Sequence, residues 1–173
     1  MSSRASIPAL LCVTGASGAG KTTIVRALPL TVLHFDSLGV PPEAEMIAGW
    51  GSGERWQEAM TAFWIRTACD VHRTKPVVVL EGQFDPRFAR TACEAAGVVY
   101  AIAVLDVADE VRRRRLTERG QPELASDQMM NWGRYLREAS CDAVIDTDRP
   151  VDVVIGEVAS IAQALVDRRL VTS

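Results

Sequence analysis

Gly15-Ala16-Ser17-Gly18-Ala19-Gly20-Lys21-Thr22-Thr23 is the stretch of sequence that decides the fold. Its first eight residues satisfy the pattern G-x-x-x-x-G-K-[ST], and they lie between a short apolar run and a helical pattern. Glycines allow the backbone to curl until successive N–H groups face an anion, and the following helix adds the positive end of its dipole. The stretch therefore predicts a phosphate loop that binds a nucleoside triphosphate.

Two side chains of this loop carry predicted chemistry. Lys21 is expected to reach the β- and γ-phosphates, and the Thr22 hydroxyl is expected to ligate Mg²⁺. Because all nine residues from Gly15 to Thr23 surround the predicted phosphates, we expect the whole stretch to bind the nucleotide. ATP and Mg²⁺ are the predicted cofactors.

Apolar runs alternate with helical patterns along the chain. The runs are apolar throughout, as expected for strands that helices cover on both faces. The predicted strands are Ala9–Thr14, Thr31–Phe35, Pro76–Leu80, Val98–Leu105 and Ala143–Ile145. The predicted helices are Lys21–Leu28, Glu54–His72, Pro86–Ala96, Asp109–Arg119, Pro122–Glu138 and Asp152–Arg168. This alternation predicts an α/β fold with a mostly parallel sheet, and Gly39–Gly53 is expected to be a long connection.

Composition bounds the function classes. A chain of 173 residues predicts a single domain, residues 1–173. Its formal net charge of −3 disfavours long nucleic acid as a partner. Four cysteines without a C-x-x-C pair, and only two histidines, argue against a structural zinc site or a disulfide scaffold. No signal peptide or membrane-spanning run is apparent, so we expect a cytoplasmic protein without a membrane partner.

Carboxylates follow two of the predicted strands. Asp36 comes directly after the second strand, and Glu81 begins the sequence Glu81-Gly82-Gln83 after the third. Since the carboxyl ends of parallel strands line the ligand crevice, Asp36 is expected to orient or deprotonate an acceptor hydroxyl. Glu81 is expected to hold a Mg²⁺-bound water or the acceptor, with Gly82 and Gln83 beside it. A solvated turn or a helix cap is the alternative interpretation of Asp36.

Five arginines lie between residues 112 and 119. Arg112, Arg115 and Arg119 share one helical stripe, because they are spaced at i, i+3 and i+7. Arginine binds phosphate oxygens through its planar fork, so Arg115 and Arg119 are predicted to act on phosphates. Arg113 and Arg114 are expected to lie on a solvated face.

Three segments together resemble the P-loop kinases of the nucleoside-monophosphate, shikimate and gluconate kinase group. They are GASGAGKTT, LDVADEVRRRRLTERG and AVIDTDRP. The resemblance implies a three-layer α/β/α sandwich, with a five-stranded parallel sheet in the order 2-3-1-4-5 and a short lid. It also implies that Arg115 lies near the adenine or the phosphates and that Arg119 is the lid arginine. Asp36 matches the acidic residue after strand two, and Asp148, Arg149 and Pro150 belong to a loop beside the adenine.

The resemblance also divides the chain into functional segments. Residues 39–73 occupy the place of the acceptor-binding segment, and residues 112–137 that of the lid. Polar candidates for the acceptor are Glu54, Arg55, Gln57 and Arg66, whereas the spacing of Trp56, Met60, Phe63 and Trp64 predicts a buried helix face. The stretch from Gln121 to Trp132 is expected either to close over substrate or to pack as a helix.

The predicted function is transfer of the γ-phosphoryl group of ATP to a hydroxyl or phosphate of a small molecule. One alternative is a kinase of a larger acceptor, such as a nucleic-acid 5′ end or an antibiotic. Another is a nucleotide-binding regulatory ATPase, although the sequence lacks an Asn-Lys-x-Asp guanine motif. The sequence after the third strand, Glu81-Gly82-Gln83-Phe84, departs from the paired aspartates and triple glycine of the shikimate kinases, so the acceptor is left open.

Overall fold

Five parallel strands form the centre of the protein, whose residues 7–172 are described by a computed structural model. The strands are β1 (Ala9–Thr14), β2 (Thr31–His34), β3 (Val77–Gly82), β4 (Tyr100–Asp106) and β5 (Ala143–Asp146). The order across the sheet is β2-β3-β1-β4-β5, and every pairing is parallel. The α/β class and the strand order 2-3-1-4-5 are therefore confirmed.

Seven α-helices lie between or after these strands within residues 7–172. They are α1 (Lys21–Arg26), α2 (Glu43–Trp50), α3 (Gly53–Val71), α4 (Pro86–Ala96), α5 (Asp109–Glu118), α6 (Asp127–Glu138) and α7 (Val151–Thr172). A 3₁₀ turn at Phe35–Leu38 follows β2, and a second at Pro122–Ala125 precedes α6. The helices and the sheet form three layers.

The two faces of β1 show how the layers pack. Leu11 and Val13 belong to a buried cluster that includes residues of α1 and α7. Leu10 and Cys12 point the other way, into a cluster with residues of α3 and α4. Because neighbouring residues of a strand face opposite sides, an unbroken apolar run is what a sheet covered on both faces requires.

The prediction of a long connection at Gly39–Gly53 was wrong, because this segment contains α2. Helix α2 begins after Pro42 and ends at Gly51, which has a φ of +90°. None of its residues is buried, and it lies within a stretch rich in glycine and proline, a composition typical of a connection. The short helical pattern of Met46, Ile47 and Trp50 was outweighed by that composition.

Two other predicted features differ in the structure. The helix predicted over Pro122–Glu138 is interrupted at Ser126, whose hydroxyl accepts a hydrogen bond from the Met129 N–H and so caps α6. Phe63 is 40% exposed, although it was predicted to be core. On α3 the buried face instead passes through Trp56, Trp64 and Ile65.

Gly82 is required by the packing of the chain after β2. A Cβ on Gly82 would lie 2.3 Å from the Cβ of Phe35, a distance that real Cβ atoms do not show. Phe35 is itself buried against Trp56 and Phe84. Glycine at this position therefore allows the chain that carries Asp36 to approach the end of β3.

We expect Gly82→Ala to lower the free energy of unfolding by about 1–3 kcal/mol, as overpacking of a filled core does. Gly156→Ala is the matched control, since a Cβ there meets nothing within 4 Å in the middle of α7. That control is expected to raise the free energy of unfolding by about 0.5–1 kcal/mol. Urea denaturation of both variants measures the difference, and equal stability of the two would contradict the packing argument.

Candidate active site

The loop between β1 and α1 is shaped by two glycines. A Cβ on Gly15 would lie 2.4 Å from the backbone oxygen of Leu105, so the chain passes directly beside β4. Gly20 has a φ of +85°, a left-handed backbone conformation that residues other than glycine rarely adopt. Helix α1 begins at the next residue. The backbone after β1 therefore curls and enters a helix as the sequence predicts.

Lys21 is the cation of this loop. It is buried, and its Nζ donates a hydrogen bond to the Ala16 carbonyl at 3.2 Å. Burial lowers the pKa of Lys21 from its usual 10.5 to about 8, while the charges of Glu81 and Asp36 act in the opposite direction. The ammonium is thus poorly solvated and has most to gain from an incoming phosphate anion.

Glu81 and Thr22 form the candidate metal site. Glu81 is buried, and the Thr22 hydroxyl donates a hydrogen bond to its Oε1 at 3.4 Å. The other carboxylate oxygen, Oε2, lies 2.8 Å from Nδ1 of His34. A hydroxyl and a carboxylate oxygen beside a phosphate loop are hard oxygen donors that fit Mg²⁺, and Thr22 and Glu81 would hold it. A bound Mg²⁺ ion supplies positive charge that neutralises phosphate oxygens.

Asp36 lies in the 3₁₀ turn after β2, within electrostatic range of both Lys21 and Glu81. Partial desolvation in the cleft raises the pKa of Asp36 above its usual value, and repulsion from Glu81 adds to this effect. The charge of Lys21 acts in the opposite direction but is outweighed. A carboxylate with a raised pKa is a better proton acceptor than an ordinary surface aspartate.

These groups surround a cleft of about 520 Å³, here called the loop cavity. It brings together most of the residues predicted for the phosphates, the metal and the transferring group. Those that line it are Ser17, Gly18, Gly20, Lys21, Thr22, Thr23, Asp36, Glu81, Gly82, Gln83 and Arg119. Ala16 and Ala19 are buried in the loop instead of lining the cavity.

A smaller cleft of about 300 Å³, the Arg115 cavity, adjoins the loop cavity and shares Arg119 with it. Arg115 donates hydrogen bonds to Oγ1 and the backbone oxygen of Thr147, at 3.1 and 2.9 Å. Thr147 and Arg149 line this cavity together with Arg115. Of the predicted loop residues, Asp148 and Pro150 lie outside the lining, although Asp148 lies 3.9 Å from Arg115.

A third cleft, about 690 Å³, also adjoins the loop cavity and is here called the aromatic cavity. Its lining comes from residues 35–40, 53–57, 83–88 and 128–135. Asp36 and Gln83 line both this cavity and the loop cavity, so the two clefts meet at these side chains.

Of the four polar residues predicted to bind the acceptor, two line the aromatic cavity and two lie outside its lining. Glu54 and Gln57 line the aromatic cavity. Arg55 and Arg66 do not; the Arg55 guanidinium lies beside Gly51 at the end of α2. The helical pattern of α3 could not separate these positions, because the cavity also depends on α4 and α6.

A chain of hydrogen bonds joins the phosphate loop to the aromatic cavity. Gln83 Nε2 donates to Ser17 Oγ at 2.8 Å, and Gln57 Nε2 donates to the Gln83 carbonyl at 3.2 Å. The Asp85 N–H in turn donates to Gln57 Oε1 at 2.9 Å. The predicted residue Gln83 is therefore fixed between the two cavities.

Sequence reasoning assigned no role to Arg112, which is fully buried. Its Nε donates to the Ser17 carbonyl at 3.2 Å and its Nη2 to the Met129 carbonyl at 2.9 Å. A Cβ on Gly133 would lie 1.9 Å from Nη1 of Arg112, so α6 needs glycine where this guanidinium passes. Its membership of an arginine run concealed this role, because most such runs are solvated.

Asp85, Arg87 and Tyr135 were also missed. The Asp85 side chain is almost fully buried and accepts hydrogen bonds from Arg87 Nη2 and the Tyr135 hydroxyl, both at 2.7 Å. Asp85 also accepts from the Arg87 N–H and caps α4. The pair Asp85-Pro86 before a helical pattern is a signal for such a cap, but nothing local points to Tyr135.

No protein-family model and no curated protein matches this sequence. Solved structures do match. A gluconokinase from Sinorhizobium meliloti 1021 has a TM-score of 0.67 at 17% identity, over 96% of this chain and 98% of that chain. The shikimate kinase of Acinetobacter baumannii, in complex with shikimate, has a TM-score of 0.54 at 17% identity, over 95% and 96%.

A third match is the Mycobacterium tuberculosis APS kinase CysC in complex with AMPPNP and APS. Its TM-score is 0.60 at 16% identity, over 91% of this chain and 98% of that chain. The chain shares the fold of these three kinases. At these identities the similarity concerns the fold alone.

None of the helices described over residues 7–172 combines the length and apolar character needed to cross a membrane.

The depressed pKa of Lys21 predicts a pH dependence. In the free protein the lysine loses its charge as the pH rises through about 8. We expect the association constant for ATP to fall above this pH, because the neutral amine no longer attracts phosphate. Calorimetric titration with ATP from pH 6.5 to 9.5 measures the effect; a constant affinity over this range would contradict it.

Proposed function

We propose that this protein is an ATP-dependent phosphotransferase that moves the γ-phosphoryl group to a hydroxyl of a small molecule. The observation that carries the proposal is the shared position of Asp36, which lines both the loop cavity and the aromatic cavity. A phosphate loop on one side and a separate cleft on the other give two substrates a common boundary. A carboxylate at that boundary can accept a proton from the attacking hydroxyl.

The nucleotide is proposed to bind along the phosphate loop, residues 15–23, with its base in the Arg115 cavity. Arg115 and Arg149 would border the base, with Asp148 and Pro150 completing that loop. Lys21 and Arg119 would offset the charge of the transferring group, since both line the loop cavity. Positioning and charge neutralisation of this kind account for most of the catalysis in phosphoryl transfer.

The transfer is proposed as a single displacement. The acceptor hydroxyl oxygen forms a bond to the γ-phosphorus while the bond to the oxygen bridging the β- and γ-phosphates breaks. ADP leaves with that bridging oxygen, and the hydroxyl proton moves to Asp36. The raised pKa of Asp36 supports this role, because a stronger base takes the proton more readily.

The segment assignments belong to the same proposal. Residues 39–73 would bind the acceptor, a role supported by Glu54 and Gln57 in the lining of the aromatic cavity. Residues 112–137 would act as the lid, since they include Arg119 on the nucleotide side and Met129 and Trp132 on the other. One domain, residues 1–173, would then carry the whole reaction.

The proposed reaction is tested by incubation with ATP, Mg²⁺ and a metabolite extract, followed by a mass-spectrometric search for compounds that gain one phosphoryl group. We expect such a product with the native chain and none with Lys21→Ala, whose folded state is checked by circular dichroism. ATP consumption that proceeds equally with and without extract would instead favour the regulatory ATPase.

For the acceptor found in this way, we expect Asp36→Asn to lower kcat by about 10²–10⁴, the usual contribution of a positioned base. ATP affinity should change little, because the amide keeps the size of the carboxyl. Asp70→Asn is the matched control and should retain native turnover, because Asp70 is an exposed residue near the end of α3 that pairs with Arg73. Steady-state kinetics of both variants measure the ratio, and unchanged turnover in Asp36→Asn would remove its catalytic role.

A further inference from the structure

The aromatic cavity has a chemical character that bears on the acceptor. Five aromatic residues line it: Phe35, Trp56, Phe88, Trp132 and Tyr135. Trp132 and Tyr135 are stacked, with ring centroids 5.3 Å apart and planes at 22°. Flat aromatic faces bind apolar and aromatic groups, and they also attract organic cations.

Charge in the cavity is unbalanced. Three carboxylates line it, from Asp36, Glu54 and Asp85, whereas Arg87 alone is basic among the described lining residues. These four side chains give the lining a formal charge of −2. A cleft with such a charge attracts cations and repels anions.

Arg87 is 63% exposed, but its guanidinium is already paired with a carboxylate of the cavity. Its Nε and Nη2 donate three hydrogen bonds to the two oxygens of Asp85, at 2.7 to 3.2 Å. The guanidinium also lies 5.6 Å from the ring centroid of Phe88 and 5.9 Å from that of Tyr135. Burial alone would raise the pKa of Asp85, but the hydrogen bonds from Arg87 and Tyr135 lower it below its usual value. To withdraw Arg87 would leave this buried carboxylate without its cation, which is costly.

Glu54 is the carboxylate left for a ligand. Its distance to Arg87 Nη2 is 3.5 Å, and both side chains are exposed, so this ion pair is weak. Asp36, in contrast, is attracted by Lys21 from the loop cavity. A cation in the aromatic cavity would therefore find Glu54 and aromatic faces together.

We propose that the acceptor is a hydroxylated organic cation with an aromatic or similarly flat apolar body, such as an aryl amino alcohol, and carries no anionic group. This inference rests on the proposed function, because it identifies what occupies the aromatic cavity beside Asp36. The amine interacts with Glu54 and the aromatic faces, and the hydroxyl is directed toward Asp36 and the γ-phosphate. Transfer proceeds by the displacement given above, with the amine unchanged.

Three probes of similar size separate the charge states. Phenylethanolamine, styrene glycol and mandelate share a phenyl ring and a benzylic hydroxyl, and their benzylic carbon carries an ammoniomethyl, a hydroxymethyl or a carboxylate group respectively. Calorimetric titration of the protein, saturated with a non-hydrolysable ATP analogue and Mg²⁺ at pH 7, gives the three dissociation constants. We expect phenylethanolamine to bind at least about tenfold more tightly than mandelate, with styrene glycol between them.

A matched pair of variants on α3 tests the role of Glu54. Glu54→Gln removes the charge from the cavity lining and should reduce the ratio of mandelate to phenylethanolamine dissociation constants by about threefold or more. Glu58→Gln, an exposed residue one turn further along α3 and outside the lining, should leave that ratio unchanged. A merely structural effect of Glu54 would weaken all three probes equally.

The outcomes separate this inference from the proposed function. Equal affinity for the three probes, tighter binding of mandelate, or no measurable binding of any of them overturns the cationic acceptor, even if ATP binds and is consumed. Failure to bind ATP, or the lack of any phosphorylated product from the metabolite extract, overturns the phosphotransferase itself. In that case a preference for the amine would identify only a ligand of the cavity.

Discussion

The guanidinium of Arg112, buried between the phosphate loop and α6, is the contact on which the rest of the site depends. It binds the carbonyls of Ser17 and Met129, and Gly133 leaves the space that it fills. A buried charge costs several kcal/mol in desolvation, which these hydrogen bonds and the nearby Asp109, at 3.7 Å, offset in part. The loop and α6 are therefore joined at this point, since movement of one without the other would leave the charge without its partners.

The walls of the aromatic cavity are connected to this contact. Helix α6 carries Trp132 and Tyr135, and the Tyr135 hydroxyl binds Asp85 at the start of α4. On the opposite side, Gln83 is tied to Ser17 of the phosphate loop. Two independent connections thus run from the loop to the walls of the cavity. The loop and the walls of the aromatic cavity therefore belong to one hydrogen-bonded framework.

Much of the fold could be predicted from the sequence, because its signals are local. The five strands and most helices follow from apolar runs and periodicity, and the strand order followed from the resemblance carried by the phosphate loop. Helix α2 was not predicted because its residues lie in a stretch rich in glycine and proline, and Phe63 was misplaced because one position on a helix turns a side chain by about 100°. Similarly, Asp36, Glu81 and Gln83 could be found as strand-end residues, but Asp85 and Tyr135 meet across 50 positions of sequence.

The sequence by itself determined the loop after β1 and the sheet covered by helices on both faces. Their signals, which are the glycine spacing, one lysine and unbroken apolar runs, each extend over only a few residues. Only the tertiary structure decided what lies beside that loop. The burial of Arg112, the pairing of Arg87 with Asp85 and the excess of carboxylates in the aromatic cavity depend on which helices meet. Side chains from four distant segments form that cavity, and its charge is a property of their packing rather than of any one segment.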